Sequence, residues 1–167
     1  MKIFLRIVNR FIINHFLCFT RFFAIKRLLL RCCGIVVGKN TKVVGPINFG
    51  NTIDIKIGNN CWIGKNFSCD GDGKILIEDN VNIAPNCVIN TGGHMIGKKD
   101  CRAGTGIVNK IVVGKGTWIC TNVIIVNDTK IGSGNVIAAG AVVIKNSNNN
   151  YLLAGVPAIE KKKLEDN

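Results

Sequence analysis

Aliphatic residues fall at every sixth position through the middle of this chain: Val113, Ile119, Ile125, Ile131, Ile137 and Val143. That period fits neither the period of about 3.6 of an amphipathic helix nor plain alternation. It is a multiple of two, so short strands separated by turns can send all six side chains to one interior. A second series two residues earlier holds Thr117, Val123, Thr129 and Ala141, small or β-branched, with Asn135 the exception. Gly114, Gly132 and Gly140 follow or flank the aliphatic positions, where a corner needs a residue without a Cβ in the way. A sustained hexad of this kind is the signature of a parallel β-helix.

The hexads begin at Val37, Val43 and Phe49, return two residues out of step at Ile57, Ile63 and Cys69, and again at Ile77, Ile83 and Ile89. Three hexads make one triangular turn. Five turns are therefore expected, over residues 37–54, 57–74, 77–94, 113–130 and 131–148, with two-residue insertions bulging at a corner. At roughly 4.8 Å per turn the prism is on the order of 24 Å long. Residues 95–110, MIGKKDCRAGTGIVNK, carry charge and glycine but no hexad, and are expected to protrude as a loop. A long excursion from a regular scaffold is where function concentrates. The expected organisation is a basic apolar helical segment over 1–33, an all-β parallel β-helix over 34–148 and a tail over 149–167.

Charge changes the picture only at the front of the chain. The formal net charge is +12, yet residues 1–33 hold seven basic residues and no acid. The basic character belongs mainly to that segment, which argues against nucleic acid as a partner of the whole protein. On a helical wheel Lys2, Arg6, Arg10, Arg21, Arg27 and Arg31 fall within an arc of roughly 120°, and Lys26 lies elsewhere. The longest uncharged run of this segment, residues 11–20, is too short to span a bilayer. Charges interrupt the apolar stretch and no small-residue cleavage site follows, so a secretory signal is not expected. Two roles are open: an interfacial helix at an anionic membrane, or a cap on the end of the β-helix. Of eight cysteines, Cys61 and Cys87 fall in the second inward series and Cys69 on an aliphatic position, and no CxxC pair exists. Buried, reduced thiols of a cytoplasmic protein are the expectation.

Candidate chemistry is sparse. His15 lies in the helical segment. His94 closes the third turn after Thr91, Gly92 and Gly93 and directly precedes the loop. Histidine is the usual general base near neutral pH, and the glycines let a substrate approach the backbone. Three histidine ligands, the set a γ-type carbonic anhydrase needs for zinc, are not available, and no metal is expected. A purely structural β-helix would repeat one outward residue, and here the outward positions are irregular.

The runs IAPNCVINTGGH (83–94), GTWICTNVIIVNDTKIGSGNVIAAGAVVIK (116–145) and LAGVPA (153–158) resemble the hexapeptide-repeat acyltransferases. The likeness is to the galactoside, maltose and Nod-factor acetyltransferases, and covers about residues 37–159. The basic, apolar start looks more like acetyltransferases of surface-polysaccharide assembly. The resemblance implies a left-handed coil and a homotrimer with acetyl-CoA between neighbouring prisms. It implies His94 as the base, Trp118, Thr121 and Ala139 along the pantetheine arm, and Lys145 at the coenzyme's phosphates. Asn66 and Asp70 match acceptor-binding positions. The chain departs from the pattern at Ile144, at the NSNNN tract (146–150) and in lacking a C-terminal arginine, for which the lysines at 161–163, Lys162 among them, substitute as point charges. The expected activity is acetyl transfer from acetyl-CoA to a sugar hydroxyl. An amino-sugar N-acetyltransferase using the same base is the alternative.

Overall fold

The computed structural model describes residues 2–165; Met1, Asp166 and Asn167, the extremities of the two terminal segments, lie outside it. The chain coils into a parallel β-solenoid with three faces. The first face carries Val36–Val37, Asp54–Ile57, Lys74–Ile77, Lys110–Val113 and Lys130–Ile131. The second carries Lys42–Val43, Trp62–Ile63, Asn82–Ile83, Trp118–Ile119, Val136–Ile137 and Tyr151–Gly155, and the third Ile47–Phe49, Phe67–Asp70, Val88–Asn90, Ile124–Val126 and Val142–Val143.

Register places the hexad residues in columns. Val37, Ile57, Ile77, Val113 and Ile131 stack inside the first face. Val43, Ile63, Ile83, Ile119, Ile137 and Leu153 stack inside the second, and Phe49, Cys69, Ile89, Ile125 and Val143 inside the third. All are buried in one continuous core. Asn135 keeps its place in the inward series: it is 1% exposed, and every polar atom of its amide is engaged. Nδ2 donates to Gly132 O, Ser147 Oγ and Asn148 O, and Oδ1 accepts from Tyr151 N at 2.7 Å.

Those bonds explain why the solenoid has about six turns, one more than the hexads indicate. The NSNNN tract is the first edge of the extra turn, in which Leu153 follows Ile137 by sixteen residues instead of eighteen. The hexad therefore loses step although the coil continues. Beyond it, Ala158–Lys163 folds back antiparallel on Tyr151–Gly155 and closes that end of the second face.

The other end is closed by two helices, α1 (Lys2–His15) and α2 (Phe23–Cys32), so the single wheel over 1–33 is interrupted at residues 16–22. In a parallel ladder alternate residues bond to alternate neighbours, so half the carbonyls of the first coil have no strand beyond them. Side chains of the helical segment supply the donors. Arg31 Nε donates to Val37 O, Arg27 to Thr41 O, Lys26 Nζ to Val43 O, Asn14 to Ile47 O, Arg10 to Phe49 O, and Arg6 to both Asn51 O and Ile53 O, at 2.7–3.1 Å. An edge made of acceptors needs donors, and a guanidinium carries five and no acceptor. This accounts for five of the segment's seven basic residues. Four arginines of the wheel's stripe thus turn onto the coil, and Lys26, which the wheel set apart, is fully buried there. Burial lowers the Lys26 pKa from its ordinary value, and Cys18 opposes that in part.

Candidate active site

The corner between the third and first faces is where the solenoid departs from regularity. It holds the two-residue insertions, at 50–53 in the first coil and 70–73 in the second. In the third coil it opens into an antiparallel arm, Gly92–Ile96 against Ala103–Val108, with Gly92 opposite Val108 and His94 opposite Gly106. The expected loop is therefore an ordered hairpin with a short tip. Two of its glycines answer to crowding: a Cβ on Gly104 would stand 2.8 Å from Met95 O, and one on Gly97 2.3 Å from Cys101 O.

His94 is exposed on the arm, and its Nδ1 lies 2.9 Å from Gly104 O. A carbonyl only accepts, so this partner assigns the hydrogen to Nδ1 and leaves the lone pair of the neutral ring on Nε2. The ring is thereby held in the tautomer a general base requires. It lines a pocket of about 500 Å3 with Gly71, Asp72, Asn90, Gly92, Gly93 and Ile107 among its walls. Asp72 accepts a hydrogen bond from Thr52 Oγ1, one coil above. Asp72 and Asn90 are polar groups that sequence reasoning passed over. The signal was available: Gly71-Asp72-Gly73 sits in the insertion that puts the hexads out of step.

The other expected site residues are spread over three places. Asp70 ends the strand beside Asn90 and is its register partner, while its Oδ1 accepts from Gly71 N at 2.9 Å. Asn66 stands at the opposite corner, between the second and third faces, with φ 59° and its amide donating to Asn86 Oδ1 at 2.9 Å. Asn86 and Asn122 repeat that left-handed corner conformation, one that asparagine tolerates. Asn66 is not among the residues lining the His94 pocket.

Thr121 and Ala139 share Asn66's corner, on adjacent coils joined by Gly140 N to Thr121 O at 3.0 Å. Thr121 Oγ1 donates to Pro85 O in the coil above. Trp118, 53% exposed, projects from the second face beside a groove of about 580 Å3 that Trp62, Asn82, Ala84 and Pro85 also line. The small residues at 138–140 leave the backbone of this edge open to a narrow ligand. Lys145 is exposed on the arm's own corner, further down the coil, next to Asn127, whose amide donates to Ile144 O. Lys162 is exposed on the returning strand, opposite Leu152. Within one chain, then, His94 and the group Trp118, Thr121 and Ala139 occupy opposite edges of the third face.

No family model matches the chain. It is 33% identical over 130 residues to the galactoside O-acetyltransferase of Escherichia coli K12, a match covering 78% of this chain and 64% of that protein. Superposition on the hexapeptide-repeat-containing acetyltransferase of Vibrio cholerae, solved in complex with acetyl-coenzyme A, gives a TM-score of 0.85 at 26% identity, over 99% of this chain and 88% of that one. In sequence and in fold the chain is similar to the hexapeptide-repeat acetyltransferases. It is also 26% identical, over 80% of its length and 72% of the other's, to a putative colanic acid biosynthesis acetyltransferase, WcaF of E. coli K12. The chain spans less than two thirds of the length of the galactoside enzyme.

Proposed function

We propose that this protein is an acetyl-CoA-dependent O-acetyltransferase acting on a sugar hydroxyl in the assembly of a surface polysaccharide, such as an O-antigen, capsule or exopolysaccharide. The observation that carries the reading is the His94 Nδ1 to Gly104 O bond beside a polar pocket. The galactoside and colanic acid relatives support a sugar acceptor and a polysaccharide setting, and the acetyl-CoA complex of the V. cholerae neighbour supports the donor. The protein works in the cytoplasm, at the inner face of the membrane.

A sugar hydroxyl has a pKa far above neutrality, so it must lose its proton as it attacks the thioester carbonyl. His94 Nε2 takes that proton, and the new C–O bond forms as the carbonyl π electrons move to oxygen. Collapse breaks the C–S bond, and the departing thiolate takes the proton back from Nε2. No acyl-enzyme is formed. The backbone N–H of Thr121 steadies the oxyanion; the flanking amides of Cys120 and Asn122 are committed to Ile137 O and Pro85 O. Trp118, Thr121 and Ala139 hold the pantetheine arm, and Lys145 with Lys162 faces the phosphates. Asp72 and Asn90, with Asp70 beside them, orient the acceptor, and Asn66 serves it from the other edge.

The division of these groups between opposite edges supports a homotrimer of left-handed coils, in which one copy's arm meets the next copy's coenzyme edge. The test is His94→Ala in a folded, correctly assembled protein. kcat should fall by about 10²–10⁴-fold, with the KM for acetyl-CoA nearly unchanged. His15→Ala should leave kcat intact. A product ester cleaved by hydroxylamine identifies O-transfer, and a resistant amide identifies an amino-sugar acceptor. Retention of most turnover by His94→Ala would refute the mechanism.

A further inference from the structure

We infer that Phe4, Ile7, Phe11 and Phe16 form a bilayer contact that works by shallow apolar insertion and does not require anionic headgroups. This deepens the membrane-proximal reading above and rests on it. Among the described residues no helix is long and apolar enough to cross a membrane, so any contact is made from one side. The cap uses most basic side chains of the segment. Arg6, Arg10, Lys26, Arg27 and Arg31 direct donors onto the solenoid's terminal carbonyls and keep their charge, so electrostatic attraction adds to a contact that the apolar strip carries.

What α1 presents away from the coil is apolar. Asn9 and Ile13 are buried on its inner face, while Phe4, Ile7 and Phe11 follow one another along the outer one at helical spacing. Phe16 continues the line, its ring edge-on to Phe11 with centroids 6.1 Å apart, and His15 stacks on Phe11 at 4.2 Å. The four side chains are 68%, 46%, 54% and 65% exposed.

Two observations favour lipid over a second copy of the chain. The strip offers on the order of 450 Å2, about half of the ~800 Å2 that each partner contributes to a stable protein interface. A fluid bilayer needs no matching pocket and accepts side chains that protrude from a convex helix surface. The charge around the strip is also permissive: no acid precedes Asp54, so nothing on the helices repels phosphate headgroups, and the exposed Arg21 lies nearby in sequence. The consequence for the enzyme is an acceptor met at the membrane surface, of the chemical class of a lipid-linked saccharide.

Co-sedimentation of the full-length protein with sucrose-loaded vesicles tests the inference. Binding should persist on phosphatidylcholine alone and in high salt, with added phosphatidylserine strengthening it only at low salt. The double substitution Phe4→Ser with Phe11→Ser should weaken it by about 30-fold, while thermal stability and transfer to a soluble acceptor stay unchanged. Phe11→Trp should show a blue-shifted emission quenched by brominated lipid. Binding confined to phosphatidylserine vesicles and abolished by salt would overturn the insertion while keeping the membrane reading. Failure to bind either vesicle, with the double substitution changing the sedimenting size, would place a second copy on the strip and overturn both.

Discussion

Arg6 is the side chain whose loss the solenoid should feel most. Its Nε donates to Cys33 O at 3.2 Å, and Nη1 reaches Gly50 O, Asn51 O and Ile53 O at 3.2, 2.7 and 3.0 Å. Arg6→Met keeps the apolar stem and removes every donor. Asn51 is exposed and regains water, whereas Cys33, Gly50 and Ile53 are buried. A buried acceptor left without a partner costs about 1–3 kcal/mol. Water reaching the solenoid's end offsets part of this, so a net loss of about 2–3 kcal/mol is expected. For a chain of this size that lowers Tm by about 5–10 °C. Circular dichroism measures the midpoint, and amide exchange locates the damage. The amides of Lys42, Val44 and Gly50, which donate to Cys61, Ile63 and Cys69, should exchange faster, while that of Trp118, bonded to Asn135 O, stays protected. A solenoid opens from a failed end, because each coil contacts only its neighbours. Arg6→Lys should recover only part, since an ammonium cannot span four acceptors. An Arg6→Met protein with native Tm and unchanged first-coil protection would refute the capping argument.

Two further outcomes are expected. Burial holds the thiols of Cys33, Cys61, Cys69 and Cys87 above their ordinary value of 9.0, so above that pH the unfolded chain loses protons that the folded one keeps. Stability is then constant below about pH 9 and falls as pH rises, by up to about 1.4 kcal/mol per unit for each thiol. Lys26, whose pKa is lowered, contributes in the opposite direction up to 10.5 as a single group. The urea midpoint should therefore drop between about pH 8 and pH 10, and a flat or rising midpoint would contradict the burial of these thiols. Asp72→Ala should raise the acceptor KM about tenfold with little change in the acetyl-CoA KM, and more than Asp70→Ala does; equal KM values for wild type and Asp72→Ala would remove Asp72 from the acceptor site.

Most of the scaffold is legible in the residues because its rule is local. A side chain every six positions can be buried only if the chain turns three corners per coil, so the columns under Val43, Phe49 and Val37 follow from spacing alone. The position of His94 at the one large interruption is legible for the same reason. Where spacing changes, local reading loses the coil: the sixth turn is two residues short, and Asn135 looks like a break because three of its four partners come from the next coil. The wheel over 1–33 found a basic stripe but not what the stripe faces, since the acceptors it meets are carbonyls some 6 to 47 residues away in sequence. Asp72 beside His94, and the distance between His94 and the Trp118 edge, belong to the same class. They depend on which corner each coil brings round, and stacking, not sequence separation, decides that. Burial and period are properties of a single strand, legible in sequence; partners across coils exist only once the coil has closed.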